Sequence, residues 1–114
     1  MGRLTTHVLD TALGKPAAGV AIALYALPER RLIVEAVTNA DGRVDAPLMS
    51  GELQPGVYEL VFAAGEYLRR TGQVGDGVPF LGEIPLRFGI ASPQAHYHVP
   101  LLISAHAYST YRGS

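Results

Sequence analysis

Short apolar runs separated by turn-forming residues dominate the chain. The runs are about six to nine residues long and rich in Val, Ile, Leu and Tyr, and clusters of Gly, Pro, Asn and Asp punctuate them. Regularly spaced short strands with such turn signals are typical of a β-sandwich or barrel. We therefore predict eight strands: Leu4–Asp10, Gly19–Ala26, Leu32–Thr38, a short one at Arg43–Ala46, Val57–Ala63, Gly82–Ile90, His96–Ile103 and Ala107–Arg112.

Several of these runs alternate between two kinds of side chain. In Val57–Ala63, Tyr58, Leu60 and Phe62 fall on the face opposite Glu59, so the strand has one core face and one wetter face. One window, Gly65–Gly72, has helical character, with Gly72 as a stop signal. The pattern predicts a single all-β domain over residues 1–114, in which two antiparallel sheets pack about 10 Å apart beside one short helix.

Composition narrows the functional classes. The chain is 48% hydrophobic and 17% charged, with a net charge of -1, so it can fill a core and has no general attraction to nucleic acid or acidic membranes. It has no cysteine, which excludes disulfides and thiolate chemistry. No apolar run approaches the roughly 20 residues that span a bilayer. A strand-like segment starts at once and leaves no space for a signal peptide, so we expect a cytoplasmic protein.

The pair His96 and His98 is the first candidate for chemistry. Residues two apart on a strand share a face, so both imidazoles lie opposite Tyr97, Val99 and the apolar positions that follow. They are either solvated surface histidines or residues covered by another subunit. The apolar stretch 99–103 favours cover on both faces. Proline avoids central ladder positions, so we expect Pro100 at a bulge or a non-bonded position.

His7 could join this pair. Three imidazoles can form a zinc site, although nothing in the sequence places His7 near the other two. Serine nucleophilic catalysis lacks support, because the Gly-x-Ser-x-Gly elbow is absent.

Two further segments carry arginine in a marked context. Asn39–Arg43 is a turn in which Asp41 is expected to accept local backbone hydrogen bonds and Gly42 to take a positive φ; Arg43 would then begin the next strand, either solvated or functional. The C-terminal stretch is strand-like up to Tyr111-Arg112-Gly113-Ser114. Ser114 would bring a hydroxyl and an α-carboxylate close to a guanidinium, unless the end is frayed.

Together these segments resemble the 5-hydroxyisourate hydrolases of the transthyretin-like family. The resemblance rests on motifs in the same order along nearly the whole chain, from about residue 4 to residue 114. The motifs are Leu4–Asp10 with Gly14–Val20, Thr38–Arg43, Phe80–Ile90, His96–Leu102 and Tyr108–Ser114. The histidine pair and the Tyr-Arg-Gly-Ser ending separate the hydrolases from the hormone carrier of the same fold.

The resemblance implies a transthyretin-like sandwich of two four-stranded antiparallel sheets with one short helix. It also implies a homotetramer, a dimer of dimers, with sites in the channel between dimers. The implied reaction is hydrolysis of 5-hydroxyisourate in urate degradation, a part of purine metabolism, without a cofactor or metal. The residues that match the family's catalytic positions are His7, Arg43, His98 and Ser114. His96, Tyr111, Arg112 and Gly113 match substrate-binding positions, together with His7, Arg43 and Ser114.

The chain departs from the family pattern at Ser104–Ala107, where a Ser-Pro turn is more usual. We interpret His106 there as a surface turn residue. Three other functions remain open: a carrier of a small aromatic ligand, a metal-dependent hydrolase that uses His7, His96 and His98, and a structural interaction module.

Overall fold

The structure is a computed structural model that describes residues 1–114 as eleven strands and one helix. In chain order the elements are β1 (Gly2–Thr5), β2 (Val8–Asp10), β3 (Lys15–Pro16), β4 (Ala21–Ala26), β5 (Arg31–Val37), β6 (Met49–Gly51), β7 (Gly56–Ala63), α1 (Ala64–Arg70), β8 (Glu83–Ile90), β9 (His96–His98), β10 (Leu101–Ile103) and β11 (Tyr108–Ser109).

One sheet is regular, and we call it the continuous sheet. Its strand order is β5-β4-β7-β8 and every neighbouring pair is antiparallel. The register of β7 with β8 runs unbroken from Gly56 opposite Ile90 to Ala63 opposite Glu83. The predicted core face is confirmed, because Tyr58, Leu60 and Phe62 are buried. The opposite face is less wet than predicted, since Glu59 is also buried, in ion pairs with Arg30 and Arg87.

The opposing layer is broken, and we call it the interrupted layer. It consists of two sheets, β6-β1-β9 and β11-β10-β2-β3. The chain passes from the first to the second twice, at Thr6–His7 between β1 and β2, and at Val99–Pro100 between β9 and β10. Backbone hydrogen bonds cross the break, from Val99 N to Thr5 O at 3.0 Å and from Leu101 N to His7 O at 2.8 Å. The two sheets therefore form a single layer with a step in the middle.

A single cluster of buried side chains joins the two layers. The interrupted layer contributes Leu4, Val8, Tyr97, Val99, Leu101 and Ile103, and the continuous sheet contributes Ile22, Leu24, Tyr58, Leu60, Phe62, Ile84, Leu86 and Ile90. Burial of each large apolar side chain contributes roughly 1.5–3 kcal/mol. The all-β sandwich with one short helix, as predicted, is confirmed.

Details of the interrupted layer differ from the prediction. The two long strands predicted at Leu4–Asp10 and His96–Ile103 are each split in two, and they pair in parallel, β1 with β9 and β2 with β10. Pro100 lies in the second split, at the non-bonded position expected of it, because proline has no N–H to donate to a ladder.

Two other predicted strands need correction. No strand forms at Arg43–Ala46; Arg43 makes only an isolated bridge, and Asp45 turns back to accept a hydrogen bond from Asn39 at 3.0 Å. The last strand ends at Ser109 instead of Arg112. The reason is local: Thr110 donates its hydroxyl to Pro100 O at 2.6 Å, where the proline offers no backbone donor to extend the ladder.

The helix α1 ends close to where the sequence predicts. Gly72 has a φ of 76°, and backbone bonds from Gly72 N to Arg69 O and from Gln73 N to Leu68 O close the end as a Schellman motif. The Tyr67 hydroxyl on this helix donates to Asp10 Oδ2 at 2.6 Å, at the end of β2. Burial raises the pKa of Asp10, but hydrogen bonds from Tyr67 and other donors outweigh it and leave that pKa below its usual value. The helix is thereby fastened to the layer that carries His7.

Candidate functional site

A cavity of about 480 Å³ opens on the outer face of the interrupted layer, beside its break. Strands β1 and β9 supply one wall and the segment that follows Gly42 supplies the other. The lining includes Arg3, Thr5, Thr6, Arg43, Asp45, His96, His98 and Ser114. Two histidines, two arginines and hydroxyl groups thus share one polar cavity.

His98 and His96 lie on one face of β9, as predicted, and both are half-buried. Tyr97 between them is in the core. Thr5 on the neighbouring strand β1 contacts both imidazoles: its Oγ1 is 2.8 Å from His98 Nδ1 and 3.0 Å from His96 Nε2. The hydroxyl holds the two rings in a fixed relation, and the other ring nitrogen of His98, Nε2, is left free.

His7 lies in the break of the interrupted layer, in an isolated antiparallel bridge with Arg43. Its Nε2 is 2.8 Å from the backbone carbonyl oxygen of Asp41. A carbonyl oxygen can only accept, so Nε2 carries the proton and donates. Neutral His7 therefore keeps its lone pair on Nδ1, and that nitrogen is the one able to accept a proton.

The turn that brings Arg43 to His7 forms at Asn39–Arg43, as predicted, but with a different acceptor. The side-chain oxygen of Asn39, and not that of Asp41, accepts the hydrogen bonds from Asp41 N at 2.9 Å and Arg43 N at 3.1 Å. Gly42 has the expected positive φ of 74°. A Cβ at Gly42 would lie 2.4 Å from Val8 O and 3.1 Å from His7 Cδ2. Only glycine lets the turn approach the strand this closely.

The electrostatics of the cluster favour neutral imidazoles. Burial lowers the pKa of His98, and the positive charge of Arg43 lowers it further, with smaller contributions from His7 and His96. Burial also lowers the pKa of His7, again with help from Arg43, while the hydrogen bond to Asp41 O opposes the change. Arg43 therefore acts on both rings, although its side chain is exposed. Both histidines are therefore favoured in the neutral form near neutral pH.

The C-terminal segment is divided between two faces. Gly113 forms a bridge with His98, with Gly113 N donating to His98 O at 2.7 Å and His98 N donating to Gly113 O at 3.2 Å. A Cβ at Gly113 would lie 3.0–3.3 Å from three atoms of the His98 side chain, so the backbone packs directly on the ring. Ser114 then reaches the cavity.

Tyr111 and Arg112 lie on the other side. The Arg112 guanidinium carbon is 4.3 Å from the centre of the Tyr97 ring, and its nitrogen donates to His96 O at 3.4 Å. Tyr111 is exposed beside it. Within one chain, the structure brings His7, Arg43, His96, His98, Gly113 and Ser114 together, whereas Tyr111 and Arg112 do not enter the cavity.

The remaining predicted features are simpler. His106 is exposed in the turn between β10 and β11, as predicted, with its ring 5.9 Å from that of Phe80. No three His, Asp or Glu side chains are grouped so that they could hold a metal ion. His7, His96 and His98 therefore do not form the three-imidazole zinc arrangement within the chain. The helix α1, with seven residues, is too short to span a membrane.

Two contacts at the candidate site could not be predicted from the sequence. Thr5 lies two residues before His7, and only the parallel pairing of β1 with β9 reveals that its hydroxyl meets both other histidines. The backbone carbonyl of Asp41 sets the tautomer of His7. A pattern of side chains in the sequence does not predict such a backbone contact. For the Thr5 contact, the available sequence signal was the pair of hydroxyl side chains, Thr5 and Thr6, just before His7.

Comparison with known proteins gives a consistent result. Residues 4–113 match the profile of the HIUase/Transthyretin family. The chain is 60% identical over 116 residues to a Rhizobium meliloti protein named 5-hydroxyisourate hydrolase 2, covering 99% of this chain and 97% of that one.

Two solved structures extend the likeness to three dimensions. The structure of Klebsiella pneumoniae 5-hydroxyisourate hydrolase is 34% identical, with a TM-score of 0.83 and full coverage of both chains. The crystal structure of (S)-allantoin synthase is 50% identical with a TM-score of 0.94. That match covers 99% of this chain but only 44% of the synthase chain.

Proposed function

The chain belongs to the HIUase/Transthyretin family, and we propose that it is a hydrolase that opens the ring of 5-hydroxyisourate with a histidine-activated water. The observation that supports this best is that Arg43 and His98 line one polar cavity and His7 lies beside it in a bridge with Arg43, with both imidazoles favoured in the neutral form. The relative that is 60% identical carries the name of this activity.

The proposed reaction needs no covalent intermediate. A water oxygen attacks a ring carbonyl carbon of the substrate while His7 Nδ1, the ring nitrogen with the free lone pair, takes one of its protons. The carbon–nitrogen bond of the six-membered ring then breaks, and the proton that His7 took from the water passes to the departing nitrogen. The product, 2-oxo-4-hydroxy-4-carboxy-5-ureidoimidazoline, carries the new carboxylate, whose acid proton is released to solvent. His98, which is neutral like His7, positions the attacking water through a hydrogen bond.

Arg43 has the charge that the transition state requires. Negative charge develops on the carbonyl oxygen during attack, and a guanidinium beside it stabilises that charge and offers a planar pair of donors. Together with burial, the same charge favours neutral His7 and His98 before the chemical step begins. We assign Ser114 and His96, which line the cavity, to substrate binding and water placement.

The other residues of the C-terminal tail are proposed to act in the assembled protein. Tyr111, Arg112 and Gly113 are proposed to bind substrate in a homotetramer, a dimer of dimers, in which a neighbouring chain covers the cavity. Three features support such an assembly: the cavity lies open on one face, Leu102 of the same face is only partly buried, and β8 and β11 are sheet edges without a partner strand. Sedimentation-equilibrium analysis of the purified protein tests the stoichiometry.

We further propose that the enzyme works without metal or cofactor in the cytoplasm. A positioned base and a guanidinium suffice for attack of water on an electron-poor carbonyl. The absence of cysteine suits a reducing compartment.

One experiment tests the activity. 5-Hydroxyisourate generated by urate oxidase is followed by its ultraviolet decay, with and without the protein and with a chelator. Because the substrate also decays spontaneously, the rate above background is the result. Accelerated, chelator-resistant decay is expected. Loss of the acceleration in chelator would favour a metal-dependent hydrolase, and saturable ligand binding without decay would favour a carrier.

A further inference from the structure

Thr5 occupies a position in the site to which no role has been assigned. It is the last residue of β1, half-buried, and stands opposite His98 in the parallel register with β9. Its Oγ1 is 2.8 Å from His98 Nδ1 and 3.0 Å from His96 Nε2. The one hydroxyl group is therefore shared by two imidazoles.

A hydroxyl has a single proton to donate and lone pairs with which to accept. The two ring nitrogens that face Thr5 cannot both be bare acceptors, because the hydroxyl satisfies only one of them. If Thr5 donates to one ring, the other ring must donate to Thr5. The tautomers of His96 and His98 are therefore linked.

Two directions satisfy this condition. In the first, His96 Nε2–H donates to Thr5 Oγ1 and Thr5 donates to His98 Nδ1; in the second, both bonds are reversed. The first places the proton of neutral His98 on Nε2, its ring nitrogen without a protein partner, where an N–H can donate to water or substrate.

We propose that Thr5 is a positioning residue that fixes the proton of neutral His98 on Nε2, the nitrogen without a protein partner, so that this N–H is presented to the cavity. His96 acts at the far end of the same chain of donors and holds the Thr5 hydroxyl in orientation. This role rests on the proposed hydrolysis, in which His7 accepts a proton while His98 donates a hydrogen bond to the water or to the departing nitrogen.

The arrangement of the two catalytic histidines is then complementary. Asp41 O keeps the proton of His7 on Nε2 and leaves Nδ1 as an acceptor. Thr5 keeps the proton of His98 on Nε2 and makes that nitrogen a donor. One fixed acceptor and one fixed donor orient a water molecule better than two rings free to exchange tautomers.

The first test measures the tautomer itself in the substrate-free protein. Nitrogen-15 NMR of the imidazoles at about pH 8, above the ordinary histidine pKa near 6.5, should show His98 as the Nε2–H form. In Thr5→Val, which keeps the branched shape but removes the hydroxyl, that preference should be lost. Finding His98 as the Nδ1–H form in the wild-type protein, or an unchanged His98 tautomer in Thr5→Val, would overturn the proposal.

The second test is kinetic. Hydrogen-bond partners that orient metal-bound histidines contribute about 10–100-fold, and we expect a loss of that size in kcat for Thr5→Val, with little change in KM. Thr5→Ser should restore kcat, because the hydroxyl returns. Thr11→Val is the matched control: it removes a hydroxyl that donates to Ile103 O at 2.9 Å, in the same layer but outside the cavity.

Unchanged kcat in Thr5→Val would also refute the positioning role. Should the wild-type protein fail to accelerate the decay of 5-hydroxyisourate, the proposed function fails, while the NMR measurement still decides whether Thr5 sets the tautomer. The two failures are thus separable.

Discussion

The continuous sheet and the interrupted layer have contrasting forms in the same sandwich. The first pairs β7 with β8 over their full lengths and carries a groove of about 560 Å³ on its outer face, without a histidine. The second is broken at Thr6–His7 and at Val99–Pro100, and it carries His7, His96 and His98. In a regular ladder the backbone groups are hydrogen-bonded to neighbouring strands. Beside the break, residues outside the sheets form bridges instead: Arg43 pairs with His7, and Gly113 pairs with His98.

The largest expected effect lies at the break. Replacement of His7 or His98 by Ala should lower kcat by at least about 100-fold, because a positioned proton acceptor or donor contributes about 10²–10⁴-fold. The measurement is the steady-state rate of 5-hydroxyisourate decay above background. Near-normal turnover in either variant would remove that histidine from the mechanism and with it the functional contrast between the two layers.

Removal of residues 112–114 tests whether the interrupted layer needs its terminal bridge. The deletion takes away the Gly113–His98 bridge and Ser114, so we expect kcat to fall by about 10–100-fold through misplacement of the ring. The core has no member in this segment, so the thermal unfolding midpoint should change little. Full activity in the truncated protein would mean that the break is sufficient without the tail.

The pH dependence of kcat/KM should report the pKa values of the two histidines in the interrupted layer. His7 and His98 must be neutral, and burial together with Arg43 lowers the pKa of each. Wild-type kcat/KM should therefore be flat from neutral pH upward and decline in acid, with an apparent pKa below the ordinary value near 6.5.

Replacing the Arg43 guanidinium tests the cause of that profile. Arg43→Gln removes the positive charge beside both rings, so the acidic limb should move to higher pH in addition to any loss of rate. The readout is the position of the limb, measured from pH 5 to pH 9. A limb that stays in place would show that burial alone tunes the histidines.

The smallest effect is predicted for the continuous sheet, where Glu59 is a buried carboxylate between two arginines. Arg87 Nε donates to it at 2.9 Å and Arg30 Nε at 3.4 Å. The hydrogen bond from Arg87 lowers the pKa of Glu59, against the opposing effect of burial. Glu59→Gln should reduce the free energy of unfolding by about 1–2 kcal/mol, since charge-assisted bonds are lost while both arginines remain hydrated. Its kcat should match wild type.

The sign of the pH dependence follows from the lowered pKa. The contribution of Glu59 to stability is present above its unfolded-state pKa and is lost as the pH falls through the folded-state value. Urea unfolding of the wild type and Glu59→Gln should therefore converge in acid. A constant difference between the two proteins down to low pH would assign the effect to packing instead of charge.

The two layers also differ in how much the sequence reveals. The strands of the continuous sheet follow from alternation, and the predicted Val57–Ala63 and Gly82–Ile90 agree with β7 and β8 within one residue. In the interrupted layer alternation places Tyr97 and Val99 in the core correctly but cannot show the step, because the apolar pattern continues across it. Pro100 was the only local sign of the second break, and the first had none.

The candidate site was predictable as a set of residues but only partly as an arrangement. Order along the chain and resemblance to a family identified His7, Arg43 and His98. Their meeting depends on the parallel pairing of β1 with β9 and on the Arg43 bridge, which are long-range contacts without a local signature. The contact of Arg112 with the Tyr97 ring could not be predicted from the sequence either, because a cation–π contact has no fixed spacing along the chain.

Gly42 brings the turn of residues 39–43 against Val8 and the neighbouring His7, and this proximity restricts which substitutions the site can accept. At Gly72, which has a similar positive φ, a Cβ would meet open space, whereas at Gly42 it would meet Val8 O at 2.4 Å. In a library randomised at both codons and selected for hydrolysis, position 72 should admit asparagine and other residues that tolerate that conformation, while position 42 should return glycine alone. The number of residue types that survive selection at each position would then show how closely the backbone there packs against its neighbours.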